Sequence, residues 1–228
     1  RDHDAADPAR RTPDTVTDAV AASTDATRRL PRGRHDLTRE QIEEDQRLRI
    51  LLGFAGAMAS NGYARTPIAA VIAHAGVSRE TYYRLFSDKL DGFLAAFDLV
   101  STVLLAELDR AVEGPGTPLD RIDDGVRRYL EVLAEHRGEA RLFLVEAFAA
   151  GPVAIERRAE VQERIAARIA EVLEIGSESG RVTCRMLVAA VSALIVTPLV
   201  ADDHDAILAL GPLISAELRR YHAAGLLS

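Results

Sequence analysis

Residues 75–89, with the sequence AGVSRETYYRLFSDK, concentrate side chains that could bind an anion. Two arginines, Arg79 and Arg84, stand close to hydroxyl-bearing residues and to Lys89, the only lysine of the chain. A guanidinium group binds phosphate or the edge of guanine through paired hydrogen bonds, and hydroxyl and ammonium groups donate to phosphate. The residue types in this segment therefore favour contact with a nucleic acid.

The charge of the chain is unevenly distributed. The 228 residues carry a net charge of −7. Residues 29–89 contain ten basic and seven acidic residues, a net charge of +3, whereas residues 90–228 contain fourteen and twenty-two, a net charge of −8. Residues 1–28 supply the remaining −2. This asymmetry indicates that one part of the chain meets a polyanion and the other does not.

The local sequence predicts the elements that position this basic segment. One short helix begins after Thr66 and ends at Gly76, and a second begins at Ser78. Gly76 permits the left-handed backbone of a sharp turn, Val77 can fill the space between the two helices, and Ser78 can cap the second helix. Two short helices joined in this way form a helix-turn-helix, whose second helix enters the major groove of DNA.

The rest of the sequence also predicts helices. Thr38 and Gln41 form a capping-box pattern before a helix that stops at Asn61-Gly62, and Ser87 is the expected cap of a long helix to about Glu113. Further helices are expected over residues 118–136, 139–149, 152–175, 182–200 and 204–223. No stretch alternates as a strand would, so the sequence predicts an all-α fold.

The N-terminal residues 1–36 contain almost no large apolar side chains, which predicts a flexible arm. The arm ends in a basic cluster, residues 28–35, that includes Arg32 and Arg34. Two interpretations stay open for this cluster. It is either a solvated linker or an arm that lies along phosphates or in a minor groove.

Several classes of function lack support in the sequence. There is no phosphate-binding loop, zinc-protease motif or serine-hydrolase motif, so neither an enzyme nor a cofactor is expected. The single cysteine, Cys184, rules out an internal disulfide and a cysteine-based zinc site, and we expect no metal. The longest apolar run, residues 186–201, is interrupted by Ser192, Thr197 and Pro198. With no signal-peptide pattern either, a cytoplasmic protein without a membrane partner is expected.

Residues 47–98 resemble the DNA-binding domain of TetR-type transcriptional regulators. The resemblance is carried by Ile50, Asn61-Gly62-Tyr63, Ile68, Ile72-Ala73, Ala75-Gly76-Val77-Ser78, Thr81-Tyr82-Tyr83, Phe86, Lys89 and Phe93-Leu94. It implies three parts: an arm over residues 1–36, a helix-turn-helix domain of three helices over residues 37–88, and a helical effector-binding and dimerisation domain over residues 89–228. The family commonly has glycine at the position of Glu80 and leucine or phenylalanine at that of Tyr82. We therefore expect Tyr82 to pack inward.

The chemistry of the second helix assigns roles on double-stranded DNA. Arg79 is expected to contact guanine, and Glu80 either accepts from a cytosine amino group or pairs with a neighbouring arginine, which we favour. The resemblance places Tyr83 and Lys89 on phosphates, and Thr66, Thr81 and Arg84 are further phosphate candidates.

The resemblance also implies a homodimer and a small-molecule effector of unknown identity. In the family, the last two long helices form the dimer interface, although both could simply be core helices here. The expected interface residues are Leu187, Val191, Leu194, Leu208 and Leu213. The expected effector pocket is lined by Tyr129, Leu133, His136, Phe143, Glu146 and Phe148. The function implied is that of a repressor released from a palindromic operator. The alternative is a helical ligand-binding protein or enzyme with a vestigial helix-turn-helix.

Overall fold

The computed structural model describes residues 38–59 and 61–227, and the regular elements of this part are all helical. This confirms the all-α prediction. The helices are α1 (Arg39–Met58), α2 (Gly62–Arg65), α3 (Ile68–Ala75), α4 (Arg79–Leu85), α5 (Lys89–Val112), α6 (Pro118–Glu135), α7 (Arg137–Arg141), a π-helical turn (Leu142–Glu146), α8 (Ala147–Ala150), α9 (Pro152–Val172), α10 (Glu178–Val200) and α11 (His204–Ala223). The predicted arm, with Arg32 and Arg34, lies outside the described residues.

Helix α1 begins with the predicted capping box. The Thr38 hydroxyl accepts the Gln41 amide at 3.2 Å, and the Gln41 side chain accepts the Thr38 amide at 2.9 Å. The buried side of the helix, with Ile50 and Phe54 fully enclosed, packs on α3 and α5. The core of the described chain therefore runs without a break from the helix-turn-helix into the body.

The long helix α5 is capped one residue later than predicted. The Asp88 carboxylate accepts the Asp91 amide at 2.9 Å, and the Asp91 carboxylate accepts the Ser87 amide at 2.9 Å. Ser87 therefore lies just before the helix, where its amide donates to Asp91 in the first turn. Asp88 takes the cap because a carboxylate at this position also complements the positive helix N-terminus.

The helix predicted over residues 139–149 is divided into three pieces. α7 and α8 flank the π-helical turn, in which Leu142, Phe143 and Leu144 are all fully buried. Three consecutive buried residues do not fit on one face of a regular α-helix. The π-helical turn is a local departure from α-helical geometry, and such turns are often found at functional sites. The turn ends at Glu146, which is also buried.

Helix α10 begins four residues earlier than predicted. It begins at Glu178, where the Ser177 hydroxyl accepts the Gly180 amide at 3.0 Å. By length and composition alone it could cross a membrane, with a mean hydropathy of 1.9, which the interruptions in its sequence had led us not to expect. One side, including Cys184 and Ile195, is buried against the body, whereas its other side is exposed.

Candidate nucleic-acid interface and effector cavity

The turn between α3 and α4 has the geometry that its residues predict. Gly76 adopts the left-handed conformation, with φ of +63° and ψ of 35°, and ends α3. Val77 is half-buried and packs on the core. The Arg49 guanidinium donates to the carbonyls of Ala75 and Gly76 at 3.4 and 3.3 Å, and so satisfies the end of α3. Sequence reasoning did not identify this role of Arg49, because nothing in the local pattern of α1 links it to a turn 26 residues away.

Helix α4 is anchored at its start and in its middle. The Ser78 hydroxyl accepts the Thr81 amide at 3.0 Å, which confirms the predicted cap. Tyr82 is fully buried beside Phe54, and its hydroxyl donates to the Asp88 carbonyl at 3.0 Å. Burial raises the pKa of Tyr82, so its phenol stays a proton donor. The inward packing predicted for Tyr82 is confirmed, and it fixes which side of α4 faces outward.

The outward side of α4 carries the predicted DNA-contacting side chains. Arg79, Glu80, Tyr83 and Arg84 are exposed, and Thr81 is half-buried. The Arg79 guanidinium lies 5.4 Å from the centre of the Tyr83 ring, a cation–π contact that orients the arginine. Within the described chain Glu80 has no ion pair, so the pairing that we favoured is not seen.

Arg84 and Thr81 each have a partner within the protein. The Arg84 guanidinium donates to the Gln46 side-chain oxygen at 2.7 Å, and the Thr81 hydroxyl shares a 2.9 Å hydrogen bond with Ser78. Both remain at the outer surface of the helix-turn-helix. Their phosphate contacts stay predictions.

Thr66 and Lys89 occupy structural positions instead of open phosphate-binding ones. Thr66 is buried, and its hydroxyl donates to the carbonyls of Ala57 and Gly62 at 3.2 and 2.7 Å. The Thr66 hydroxyl is therefore engaged inside the protein in this conformation, and its phosphate contact stays a prediction. The Lys89 ammonium donates to the carbonyls of Tyr63 and Thr66 at 2.9 and 3.2 Å, and lies 4.1 Å from the centre of the Tyr63 ring. Burial lowers the pKa of Lys89, and only one ammonium proton is left for a phosphate.

Glu146, predicted to line an effector pocket, does not line the cavity of the body described below and instead contacts α2. Its carboxylate accepts the Tyr63 amide at 2.7 Å, and the Arg141 guanidinium lies 3.6 Å away. Gly62, with φ of +69°, leaves space for this carboxylate, because a Cβ there would lie 2.9 Å from a Glu146 oxygen. Helix α2 is thus held at its N-terminus by Glu146 and at its C-terminal carbonyls by Lys89. A buried carboxylate 83 residues away gives no sequence signal for this pairing.

The body contains a cavity of about 350 Å³ between five helices. Of the predicted pocket residues only Tyr129 lines it, and it is joined by Leu187 and Val191, which we had assigned to the dimer interface. The lining is predominantly apolar; its members come from α5 (Leu105, Leu108, Asp109, Val112), α6 (Ile122, Gly125, Val126, Tyr129), α9 (Arg164, Ile165, Ala167, Arg168, Ile169, Glu171), α10 (Leu187, Val188, Val191, Ser192) and α11 (Ile214, Leu218).

The other predicted pocket residues lie elsewhere. Leu133 and Phe143 are buried core, and Phe143 stacks on Phe97 with ring centres 5.4 Å apart. His136 ends α6, and Phe148 is largely exposed, beside the Arg158 guanidinium. The sequence pattern identified apolar positions of the body but not which of them leave a gap, because a gap depends on how the helices pack.

Three of the five predicted interface residues lie on an exposed apolar surface of α10 and α11. Leu194 is 55% exposed and Leu213 64%, and Leu208 is also exposed. Two further apolar residues of α10 are exposed, Met186 at 66% and Val200. Exposed apolar surfaces are typical of interaction sites. Among the described residues no group of three or more His, Cys, Asp or Glu could hold a metal ion.

No protein-family model and no curated protein matches this chain. Solved structures do. A TetR-like transcriptional regulator from Rhodococcus sp. RHA1 matches with 17% identity and a TM-score of 0.61, over 83% of this chain and 99% of that chain. The fatty acid degradation regulator FadR from Bacillus halodurans matches with 17% identity and a TM-score of 0.65, over 74% and 95%.

The transcriptional regulator FadR from Bacillus subtilis, in complex with stearoyl-CoA, matches with 16% identity and a TM-score of 0.66, over 74% and 95%. These similarities span nearly the whole of each known structure. They agree with the helix-turn-helix and the helical body described above. The chain has the all-helical fold of TetR-type transcriptional regulators.

Proposed function

We propose that this protein is a TetR-family transcription regulator that binds DNA as a homodimer and is released from its operator by a small molecule. The observation that carries the proposal is the orientation of α4. Tyr82 and Ser78 fix the helix so that Arg79, Tyr83 and Arg84 face outward together. This arrangement suits insertion of α4 into the major groove, with Arg79 on a guanine edge and Tyr83 and Arg84 on phosphates.

A dimer supplies the second reading helix that a specific site needs. One helix-turn-helix contacts few base pairs, and two-fold symmetry pairs two of them on a palindromic operator. Leu194, Leu213 and Met186 are exposed apolar residues, and they favour α10 and α11 as the interface. Leu187 and Val191 face the cavity from the same helix α10, so ligand and partner chain would share that helix.

Helix α5 offers a route from the cavity to the DNA-binding residues. Its 24 residues span about 36 Å. Leu105, Leu108 and Val112 near its C-terminus line the cavity, while Lys89 at its N-terminus holds the carbonyls of Tyr63 and Thr66. A ligand that shifts α5 would therefore move α2 and the helix-turn-helix, and would change the separation of the two reading helices. Such an effect couples two distinct sites through one rigid element.

An apolar effector suits the cavity. Its volume of about 350 Å³ lies at the lower end of ligand pockets, and most of its lining residues are aliphatic. The Bacillus subtilis FadR structure contains stearoyl-CoA, which supports an apolar or acyl-bearing class of effector.

The proposal is tested by selecting DNA fragments from a random or genomic pool on the purified protein and measuring their affinity over a range of salt concentrations. We expect an enriched palindrome whose binding weakens steeply as salt rises. Failure to enrich any sequence, together with binding that salt does not affect, would favour the alternative of a ligand-binding protein with a vestigial helix-turn-helix.

A further inference from the structure

A chain of hydrogen-bonding side chains leads from the body surface into the apolar cavity. The Arg158 guanidinium donates to the Gln162 side-chain oxygen at 3.1 Å. The Gln162 amide nitrogen in turn faces the Ser192 hydroxyl at 3.1 Å. Because a guanidinium can only donate, the Gln162 atom facing Arg158 must be the oxygen, which fixes the amide orientation. Ser192 is therefore an acceptor from Gln162.

The inner end of this chain of side chains includes a hydroxyl proton that no protein atom accepts. Ser192 is 2% exposed and Tyr129 8%, and both line the cavity. Burial raises the pKa of Tyr129, and the Ser192 hydroxyl and the Arg158 charge oppose that rise. In the described chain neither hydroxyl donates to a carbonyl or carboxylate. At least one hydroxyl proton of these two cavity-lining residues therefore has no protein acceptor.

A ligand atom that satisfies this proton must accept a hydrogen bond. An unpaired buried donor is costly, and the remaining walls around Tyr129 and Ser192, such as Val126, Val188 and Val191, offer it nothing. The guanidinium at the outer end polarises the chain so that its inner end is a stronger donor. Arg158 has no carboxylate within salt-bridge distance in the described part of the chain, so the positive charge is not cancelled.

We propose that the cavity binds an apolar molecule with one hydrogen-bond-accepting oxygen, a carbonyl or carboxylate, which the Tyr129–Ser192 pair recognises. This inference rests on the cavity being the effector site of the proposed function. Amines are disfavoured because an ammonium group can only donate and so cannot accept the free hydroxyl proton, and because its positive charge is repelled by Arg158 at the outer end of the chain. Among the charged residues at the cavity wall, Arg168 is paired with Asp109 at 3.1 Å and with Glu171 at 2.9 Å. Arg164 has no ion pair in the described part of the chain and adds to the preference against an ammonium group.

Three probes of equal chain length test the preference: 2-octanone, octanoate and octylamine, titrated into the full-length protein by calorimetry. We expect 2-octanone and octanoate to bind and octylamine to bind at least about tenfold more weakly. Tyr129→Phe or Ser192→Ala should weaken 2-octanone binding by about three- to tenfold, the equivalent of one net hydrogen bond. Tyr221→Phe, a tyrosine of α11 outside the cavity lining, is the matched control and should leave the affinity unchanged.

The outcomes separate this inference from the regulatory proposal. Absence of 2-octanone binding, equal affinity for octylamine, or unchanged 2-octanone affinity in both Tyr129→Phe and Ser192→Ala would overturn the inference. A loss in either variant, with octylamine disfavoured, supports it. A ketone that binds as expected but leaves the selected DNA bound would contradict effector release, while the assignment of the ligand class would stand.

Discussion

Replacing Glu146 tests how the body holds the helix-turn-helix. The side chain is 6% exposed and accepts the Tyr63 amide at 2.7 Å. A hydrogen bond to a charged acceptor contributes about 1.5–3 kcal/mol and one to a neutral acceptor about 0.5–1.5 kcal/mol. Glu146→Ala leaves both the Tyr63 amide and the Arg141 guanidinium without this carboxylate, and should cost about 2–3 kcal/mol. Glu146→Gln keeps an acceptor oxygen and should cost about 1 kcal/mol.

The expected readouts are global and local. Thermal unfolding should show a fall in Tm of about 2–4 °C for each kcal/mol in a chain of this size. Hydrogen exchange should be faster at the Tyr63 amide, because local opening of α2 becomes easier by the same free energy. The expected acceleration for Glu146→Ala is about 30- to 150-fold. Glu156→Ala, an exposed residue of α9 without an ion pair in the described chain, is the matched control.

Two results would refute this reasoning. One is a Glu146→Ala variant as stable as Glu156→Ala. The other is a destabilised variant whose exchange quickens throughout the body but not at α2, because the carboxylate would then stabilise the π-helical turn alone.

Leu194→Asp places a charge on the exposed apolar side of α10 and should produce monomers in sedimentation at micromolar concentration, with only non-specific affinity in a DNA-binding assay. A dimer as stable as that of the control variant Ala159→Asp would contradict this. Gly76→Ala forces a side chain into a left-handed conformation and should cost about 1–2 kcal/mol in chemical unfolding, whereas Gly176→Ala, in open space, should not. Deleting residues 1–36 removes seven arginines and should reduce DNA affinity and its salt dependence without lowering Tm, and an unchanged slope would make the arm a linker.

The sequence predicted most of what depends on local patterns. The capping box of Thr38, the left-handed turn at Gly76, the cap at Ser78 and the helices Pro118–Glu135 and His204–Ala223 are all confirmed. Each depends on residues within a few positions of one another, where propensity and hydrogen bonding act directly.

Contacts over long sequence separations were not predicted. Glu146 pairs with an amide 83 residues away, and Lys89 with carbonyls 26 and 23 residues away. The cavity likewise arises from the packing of five helices, so apolar positions such as Leu133 and Phe143 could not be told from the cavity-lining Leu187. The outer face of α4 was predictable because the family that this segment resembles has leucine or phenylalanine at the position of Tyr82. With Tyr82 packed inward, Arg79 and Tyr83 face outward.

Sequence-specific reading of DNA by α4 is tested most directly by the affinity of the wild-type protein and of Arg79→Ala for a selected operator and for a scrambled duplex of equal length, at one fixed salt concentration. The wild type should bind the operator at least about 10³-fold more tightly than the scrambled duplex. Arg79→Ala should lose about 1–3 kcal/mol on the operator alone and tolerate other base pairs at one position of each half-site. Equal wild-type affinity for the two duplexes would contradict specific reading, and an equal loss on both in Arg79→Ala would make Arg79 a phosphate contact.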